Sequence, residues 1–291
     1  MRCAGSPARS SAFPFVAGPE VAVLRLFTAA LRLRTYRRRE VAKKFLLASV
    51  GAGTLLTLLN ITGAAGFEPY ASGTSGYDYS YLQCGSSAPR ASFGIVAVNG
   101  GYPFTYYNSC LASEFAAAAQ TGNGALYVNT GYDPSFTAVD GRHTTQECAT
   151  ESQSIPADAS RQAAWAVGCS EAQRDLAYAS NQSATGATSW WLDVETTNSW
   201  STSDLTLNQY TIEGLVSTLR TSLSVPIGIY STAAQWAAIA GAYQPAVDAD
   251  WLATGRSTQR RAASRCGGAG FTGAPIWLVQ YTGSYDHDYV C

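Results

Sequence analysis

From residue 75 onward, short apolar runs alternate with stretches whose apolar residues recur every three or four positions. The runs at 76–80, 92–98, 125–129, 189–194, 226–231, 249–253 and 275–281, with a last segment around 288–291, predict eight strands. Several are apolar without interruption, the pattern of parallel strands covered on both faces. Leu111, Phe115 and Ala119 predict a helix over 111–120, and Trp165, Cys169, Ala172, Leu176 and Ala179 predict one over 158–180. Ile212, Leu215, Val216, Leu219 and Leu223 predict a third over 205–223, and a shorter one is expected at 233–240. Such alternation over about 220 residues predicts an α/β fold, an irregular TIM-type β/α barrel of eight strands and about five helices in a single domain. Its last three strands are expected to be irregular. A doubly wound open sheet is the alternative, although no Gly-x-Gly-x-x-Gly follows any strand.

Active sites of such barrels gather at the C-terminal ends of the strands. Those ends are polar here: Asp78, Asn99, Asn129 with Asp133, Asp193 with Glu195, Tyr230, Gln280 with Tyr281, and finally Asp286 or Asp288. Asp133 precedes Pro134 and is expected to serve a turn. The stretch Thr188-Ser-Trp-Trp-Leu-Asp-Val-Glu195 is the centre of the chain's chemistry, an apolar strand delivering two carboxylates to its rim. Strand side chains alternate faces, so Asp193 and Glu195 share one side, with Cβ atoms roughly 6–7 Å apart. Like charges that close raise one pKa, which leaves one acid to donate a proton and one carboxylate to stabilise positive charge. Glycoside hydrolysis divides its labour in this way. Trp190, Trp191, Trp200, Trp236, Trp251 and Trp277 lie near strand ends beside 17 tyrosines. Most belong to the core, where large aromatics dominate packing. Tyr230 and Trp200 are expected at the cleft wall, where a ring can pack on the C–H face of a sugar.

Charge changes the picture at the front of the chain. Of 291 residues only 13% are charged, and the formal net charge is −1. Residues 1–66 nevertheless hold ten of the 19 Lys and Arg and two of the 20 Asp and Glu. The remainder has nine arginines, no lysine and eighteen acids, a formal charge of −9 that disfavours binding to nucleic-acid phosphates. Lys43-Lys44 precede an apolar run over 45–59, followed by Gly63-Ala64-Ala65. The run is too short to span a bilayer comfortably, so 41–65 is expected to be a secretory signal peptide, with no stable membrane span after processing. Segment 1–40, with eight arginines and no periodicity, is expected to be disordered or a non-native upstream extension, with translation starting near Val41. The folded domain is then 66–291, secreted into the medium or the cell wall, and expected to be monomeric.

The cysteines agree with export. Cys3 falls in the front segment, leaving Cys84, Cys110, Cys148, Cys169, Cys266 and Cys291. Six cysteines in an exported chain imply disulfides with fifteen possible connectivities. Sequential pairing, Cys84–Cys110, Cys148–Cys169 and Cys266–Cys291, is expected. A zinc site is excluded by the absence of Cys-x-x-Cys and by the presence of just two histidines, His143 and His287.

Five motifs in order carry a resemblance: Gly76-Tyr-Asp78-Tyr-Ser-Tyr-Leu-Gln83, Trp191-Leu-Asp193-Val-Glu195, Pro226-Ile-Gly-Ile-Tyr-Ser231 with Trp236, Trp277-Leu-Val-Gln-Tyr281, and Asp286-His-Asp288. Over 75–291 the chain resembles the family 25 glycoside hydrolases, the Chalaropsis-type lysozymes, and within them a secreted actinobacterial branch. The resemblance implies five β/α units with three further strands, and hydrolysis of the β-1,4 bond between N-acetylmuramic acid and N-acetylglucosamine in peptidoglycan. It implies Glu195 as general acid/base and Asp193 as the group that steadies the substrate's 2-acetamido group while that group attacks the anomeric carbon. Asp78 and Asp288 would line the floor, and Asn99, Asn129, Tyr230, Gln280 and Trp200 are the further candidates for contacting substrate. No metal or organic cofactor is implied; the expected partner is cell-wall polysaccharide or peptidoglycan. The chain departs from the family pattern where Asn99-Gly100-Gly101 replaces Thr-Glu-Gly and where Tyr127-Val-Asn129 replaces Tyr-His-Phe. Two cleft walls are thereby rebuilt, and a wall-glycan-binding barrel without turnover is the alternative function.

Overall fold

The computed structural model describes residues 67–283 and 285–291. The expected leader at 41–65, the segment 1–40 and Cys3 lie outside these residues. Eight strands close a barrel in sequence order. They are β1 (Ser75–Tyr79), β2 (Gly94–Ala97), β3 (Gly124–Asn129), β4 (Trp190–Asp193), β5 (Ile227–Ser231), β6 (Ala249–Arg256), β7 (Ile276–Thr282) and β8 (Asp286–Val290). Strands β1 to β7 are parallel, whereas β8 runs antiparallel to both β7 and β1. The three residues between β7 and β8 suffice for a hairpin but not for the crossover that a parallel pair requires.

The helices are α1 (Leu111–Ala119), α2 (Gln146–Glu151), α3 (Ala159–Asn181), α4 (Leu205–Ser222), α5 (Ala233–Ala240) and α6 (Gln259–Ala263). Side chains start most of them. Asp158 caps α3, Asp204 caps α4 and Thr232 caps α5, each accepting a backbone N–H of the first turn. The expected helices appear within two residues of their anticipated ends, while α2 and α6, each shorter than two turns, were not expected. The β1–β2 connection holds only a 3₁₀ turn, Tyr81–Gln83, capped by Ser80.

Strand alternation divides the core into two layers. Val96, Leu126, Val128, Trp190, Leu192, Val194, Ile227 and Ile229 face outward and pack under the helices. Ile95, Ala97, Ala125, Tyr127, Trp191, Ala249, Trp251 and Leu278 fill the barrel interior. The interior is tight around Trp191: a Cβ on Gly228 of β5 would fall 2.2 Å from its ring, so β5 reaches its neighbour only with glycine there. The disulfides Cys84–Cys110, Cys148–Cys169 and Cys266–Cys291 are formed in sequential order. Among the described residues, no helix is long and apolar enough to cross a membrane.

Candidate functional site

Asp193 ends β4 and continues the inward face that begins at Trp191. The Val194 N–H donates to the Tyr230 carbonyl, and Ser231 Oγ donates to the Val194 carbonyl at 2.7 Å. This extends the β4–β5 pairing past Asp193, so Glu195 projects to the same side. Both carboxyls line a cleft of about 420 Å³ at the C-terminal end of the barrel, with Asp78, Tyr127, Tyr230, Gln280 and Asp286. Because β8 runs against the other strands, its first residue, Asp286, sits at the rim and Asp288 lies two residues deeper.

An aromatic layer underlies the acids. Trp251 contacts Tyr230 at 4.6 Å, Trp191 at 5.7 Å and Tyr127 at 6.2 Å between ring centroids, each edge to face. Acids held on such a layer lose water, which disfavours their charged forms. Asp193, 7% exposed, has its pKa raised well above the usual carboxylate range, first by burial and then by Glu195 and Asp78. Asp78 is pushed up to about 7, mainly by burial and by the Asp286 charge. Burial, with Asp78 next, raises Asp288 well above its ordinary value.

A chain of hydrogen bonds ties the floor together. Tyr230 Oη donates to Gln280 Oε1 at 2.8 Å, and Gln280 Nε2 donates to Asp78 Oδ2 at 2.9 Å. Trp251 Nε1 donates to Asp288 Oδ1 at 2.8 Å, whereas Asp288 Oδ2 is buried without a hydrogen-bond partner. Asp193 Oδ1 is likewise buried without a hydrogen-bond partner, and Asp193 lines the cleft. An orphaned acceptor beside an open cleft is a place where a ligand can supply the missing donor.

Glu195 stands above Asp193 and is partly exposed. Its Oε1 accepts from Gln235 Nε2 at 3.3 Å. Its backbone carbonyl accepts from Trp200 Nε1 at 2.8 Å and from the Asn198 N–H at 3.1 Å, which folds the loop after β4 back on itself. Among the described residues, no group of three His, Cys, Asp or Glu side chains is disposed to hold a metal ion.

The strand-end residues therefore divide. Asp78, Asp193, Glu195, Tyr230 and Gln280 meet in the cleft, and Asp288 lies beneath it. Asn99 and Asn129 meet each other instead. Asn99 Nδ2 donates to the Asn129 carbonyl at 2.8 Å, and Asn99 Oδ1 accepts the Asn129 N–H at 2.9 Å, so the ends of β2 and β3 are clamped together. Trp200 packs against the helix-side core and holds the Glu195 carbonyl, and does not itself line the cleft. Asp133 caps the 3₁₀ turn Pro134–Thr137. Tyr281 stacks on His287 with centroids 5.0 Å apart. Tyr127, Thr232, Gln235, Trp251 and Thr282 line the cleft without having been anticipated there. Tyr127 could have been found by counting two residues back from Asn129 along the inward face. Gln235 comes from the first turn of a helix, where strand alternation has no reach.

No family model matches the chain, and no curated protein does. Among solved structures it is similar to a muramidase from Trichobolus zukalii, at 17% identity and a TM-score of 0.47, covering 75% of this chain and 93% of that one. It is similar to a family GH25 lysozyme from Aspergillus fumigatus, at 16% identity and a TM-score of 0.47, with 75% and 93% covered. A bacterial lysozyme from Streptomyces coelicolor gives 14% identity and a TM-score of 0.46, with 76% and 93% covered.

Proposed function

We propose that the protein is an exported glycoside hydrolase that cleaves cell-wall glycan, with Glu195 as general acid/base and Asp193 as the partner of the substrate's 2-acetamido group. The observation that carries this reading is the contrast within the pair. One carboxyl is partly exposed at the cleft, and the other, two residues away, is buried with an orphaned acceptor and a raised proton affinity. The motif order that resembles family 25 glycoside hydrolases supplies the substrate class, peptidoglycan.

In this reading the glycosidic oxygen lies against Glu195 and the acetamido N–H against Asp193 Oδ1. Glu195 gives its proton to the glycosidic oxygen as the bond from the anomeric carbon to that oxygen breaks. The acetamido carbonyl oxygen forms the new bond to that carbon, and positive charge spreads onto the amide nitrogen. Asp193 holds that N–H; the high proton affinity imposed by burial and by neighbouring acids makes it a strong acceptor for a nitrogen turning cationic. Water then attacks the anomeric carbon, its proton passes to the Glu195 carboxylate, and the acetamido group is released. Burial raises the proton affinities of Asp78 and Asp288, which keeps the floor from carrying two further negative charges.

A glycan-binding protein without turnover is the second reading, favoured by the Asn99–Asn129 clamp, which turns two cleft-wall residues toward each other. Release of reducing ends from purified peptidoglycan, measured beside pelleting on the same material, separates the two. Release by the wild-type protein and none by Glu195→Gln is the expected result. Pelleting with no release by either protein overturns the hydrolase reading in favour of the second.

A further inference from the structure

Gln235 stands outside the strand-end pattern, yet it makes the one side-chain hydrogen bond to the Glu195 carboxyl found among the described residues. We propose that Gln235 is the positioning residue of Glu195, fixing which carboxyl oxygen presents its proton to the cleft. The proposal rests on the reading of Glu195 as the acid.

The amide's own orientation comes first. The oxygen and nitrogen of a glutamine amide are alike in shape, so only partners can tell them apart. The Thr196 backbone N–H is a donor and nothing else, and it lies 2.6 Å from Gln235 Oε1. Thr196 Oγ1 donates to the same oxygen at 3.0 Å. The amide oxygen is thus committed to Thr196, and the NH₂ group must face Glu195. Helix α5 makes the placement firm, because Thr232 Oγ1 accepts the Gln235 N–H at 3.1 Å and anchors the first turn.

The consequence for Glu195 follows from donor counting. An Oε1 that faces an N–H can only accept; a proton placed there would meet another proton. When Glu195 is protonated, the proton therefore occupies Oε2, the oxygen left free toward the cleft. Thr196 immediately follows Glu195 in the chain, so strand end, amide and carboxyl form one short loop of contacts that sets the carboxyl plane. The floor has a comparable contact, with Trp251 donating to one oxygen of Asp288 alone. A carboxyl whose plane and protonated oxygen are preset meets the glycosidic oxygen without searching rotamers, an advantage realised in kcat rather than in binding.

The test is steady-state kinetics on purified peptidoglycan with the wild-type protein, Gln235→Met and Gln235→Glu, each with its melting temperature. Methionine keeps the length of the side chain and removes both polar contacts. Gln235→Met is expected to lower kcat by about tenfold to a hundredfold with KM within about twofold, since Gln235 acts on the proton and not on the glycan. Gln235→Glu keeps an acceptor for Thr196 but sets a second carboxyl against Glu195. A neighbouring carboxylate raises the pair's hold on its proton, so the pH profile of this variant closes later on the alkaline side than the wild type's. A kcat within about twofold of wild type in Gln235→Met overturns the proposal. If that variant melts far below wild type, the Gln235→Glu profile on folded protein decides, and a profile of wild-type shape overturns it. No release by the wild-type protein fails the reading of Glu195 itself and takes this assignment with it; release that ignores Gln235 fails this assignment alone.

Discussion

Gly168 and Gly214 face each other where α3 crosses α4. A Cβ on Gly168 would lie 1.8 Å from the Thr211 carbonyl oxygen, and one on Gly214 would lie 2.0 Å from that of Trp165. The two backbones touch there, and Thr211 Oγ1 donates across the crossing to the Ala164 carbonyl at 3.1 Å. Glycine normally weakens a helix interior by about 1 kcal/mol relative to alanine. Here the sign should reverse: Gly168→Ala or Gly214→Ala is expected to destabilise by about 3 kcal/mol, read as a lower denaturation midpoint at unchanged slope. A neutral or stabilised variant would mean that the helices can separate at no cost.

That crossing shows where sequence reading reaches its limit. The periods of three and four in α3 and α4 mark which face is buried, because that depends on each helix alone. The meeting of two glycines depends on a crossing angle that no single-helix pattern contains. The strands were legible for the same local reason, as was the Asp193–Glu195 pair, since alternation alone fixes a shared face. The direction of β8 was also within reach, because the seventh and eighth strands leave too few residues between them for a crossover helix. The expectation for Asn99 and Asn129 rested on position at a strand end; their mutual hydrogen bonds depend on the β2–β3 register, which spacing along one strand does not express. Trp200 was expected in the cleft for its chemistry, but its ring follows the turn after Glu195 toward the helix layer.

Glu195→Gln should cost turnover and little else. The side chain is partly exposed and makes one hydrogen bond at 3.3 Å, so the fold does not depend on its charge. A loss of about 10² to 10⁴ in kcat is expected, checked by reducing-end release beside a thermal melt. A variant retaining wild-type rates would remove Glu195 from the acid role.

For Asp193→Asn, activity and stability should part company. Burial and the neighbouring Glu195 and Asp78 make the ionised form of Asp193 unfavourable, and an amide of the same shape escapes that penalty. The variant is expected to melt at or above the wild-type temperature at alkaline pH while kcat falls by about tenfold or more. Equal losses of both would make Asp193 a structural acid.

A second buried acid pair sets the pH dependence of folding. Glu171 and Asp175, one turn apart on α3, are held well above the usual carboxylate range, first by burial and, for Glu171, by Asp175. Thr130 Oγ1 donates to one Glu171 oxygen at 2.8 Å, but Glu171 Oε1 and Asp175 Oδ2 are buried without partners. The folded protein keeps protons that the unfolded chain releases above about pH 4. Their stabilisation is complete below that pH and is lost as pH rises toward the elevated folded values. Melting temperature should therefore fall as pH rises above about 5, and Glu171→Gln combined with Asp175→Asn should flatten the decline. An unchanged slope in the double variant would exonerate the pair.

The three disulfides each close a short loop, with separations of 26, 21 and 25 residues. Loops of this size restrict the unfolded chain enough to stabilise by about 3 kcal/mol each. Reduction under native conditions should lower the melting temperature markedly, whereas an unchanged melt in strong reductant would show that the barrel stands without them.

The order of assembly is set by β8. Gly76 of β1 pairs with Asp288 of β8, residues more than two hundred positions apart, and that pairing closes the barrel. Contacts of such long sequence separation form late, because the loop entropy must be overcome before they return anything. The same pairing brings Asp288 under Asp78, so the acidic floor does not exist in a chain still being made. In the reading of the site as a hydrolase for wall glycan, the producing cell holds an inert polypeptide until the last strand docks, and the timing of closure serves as its safeguard.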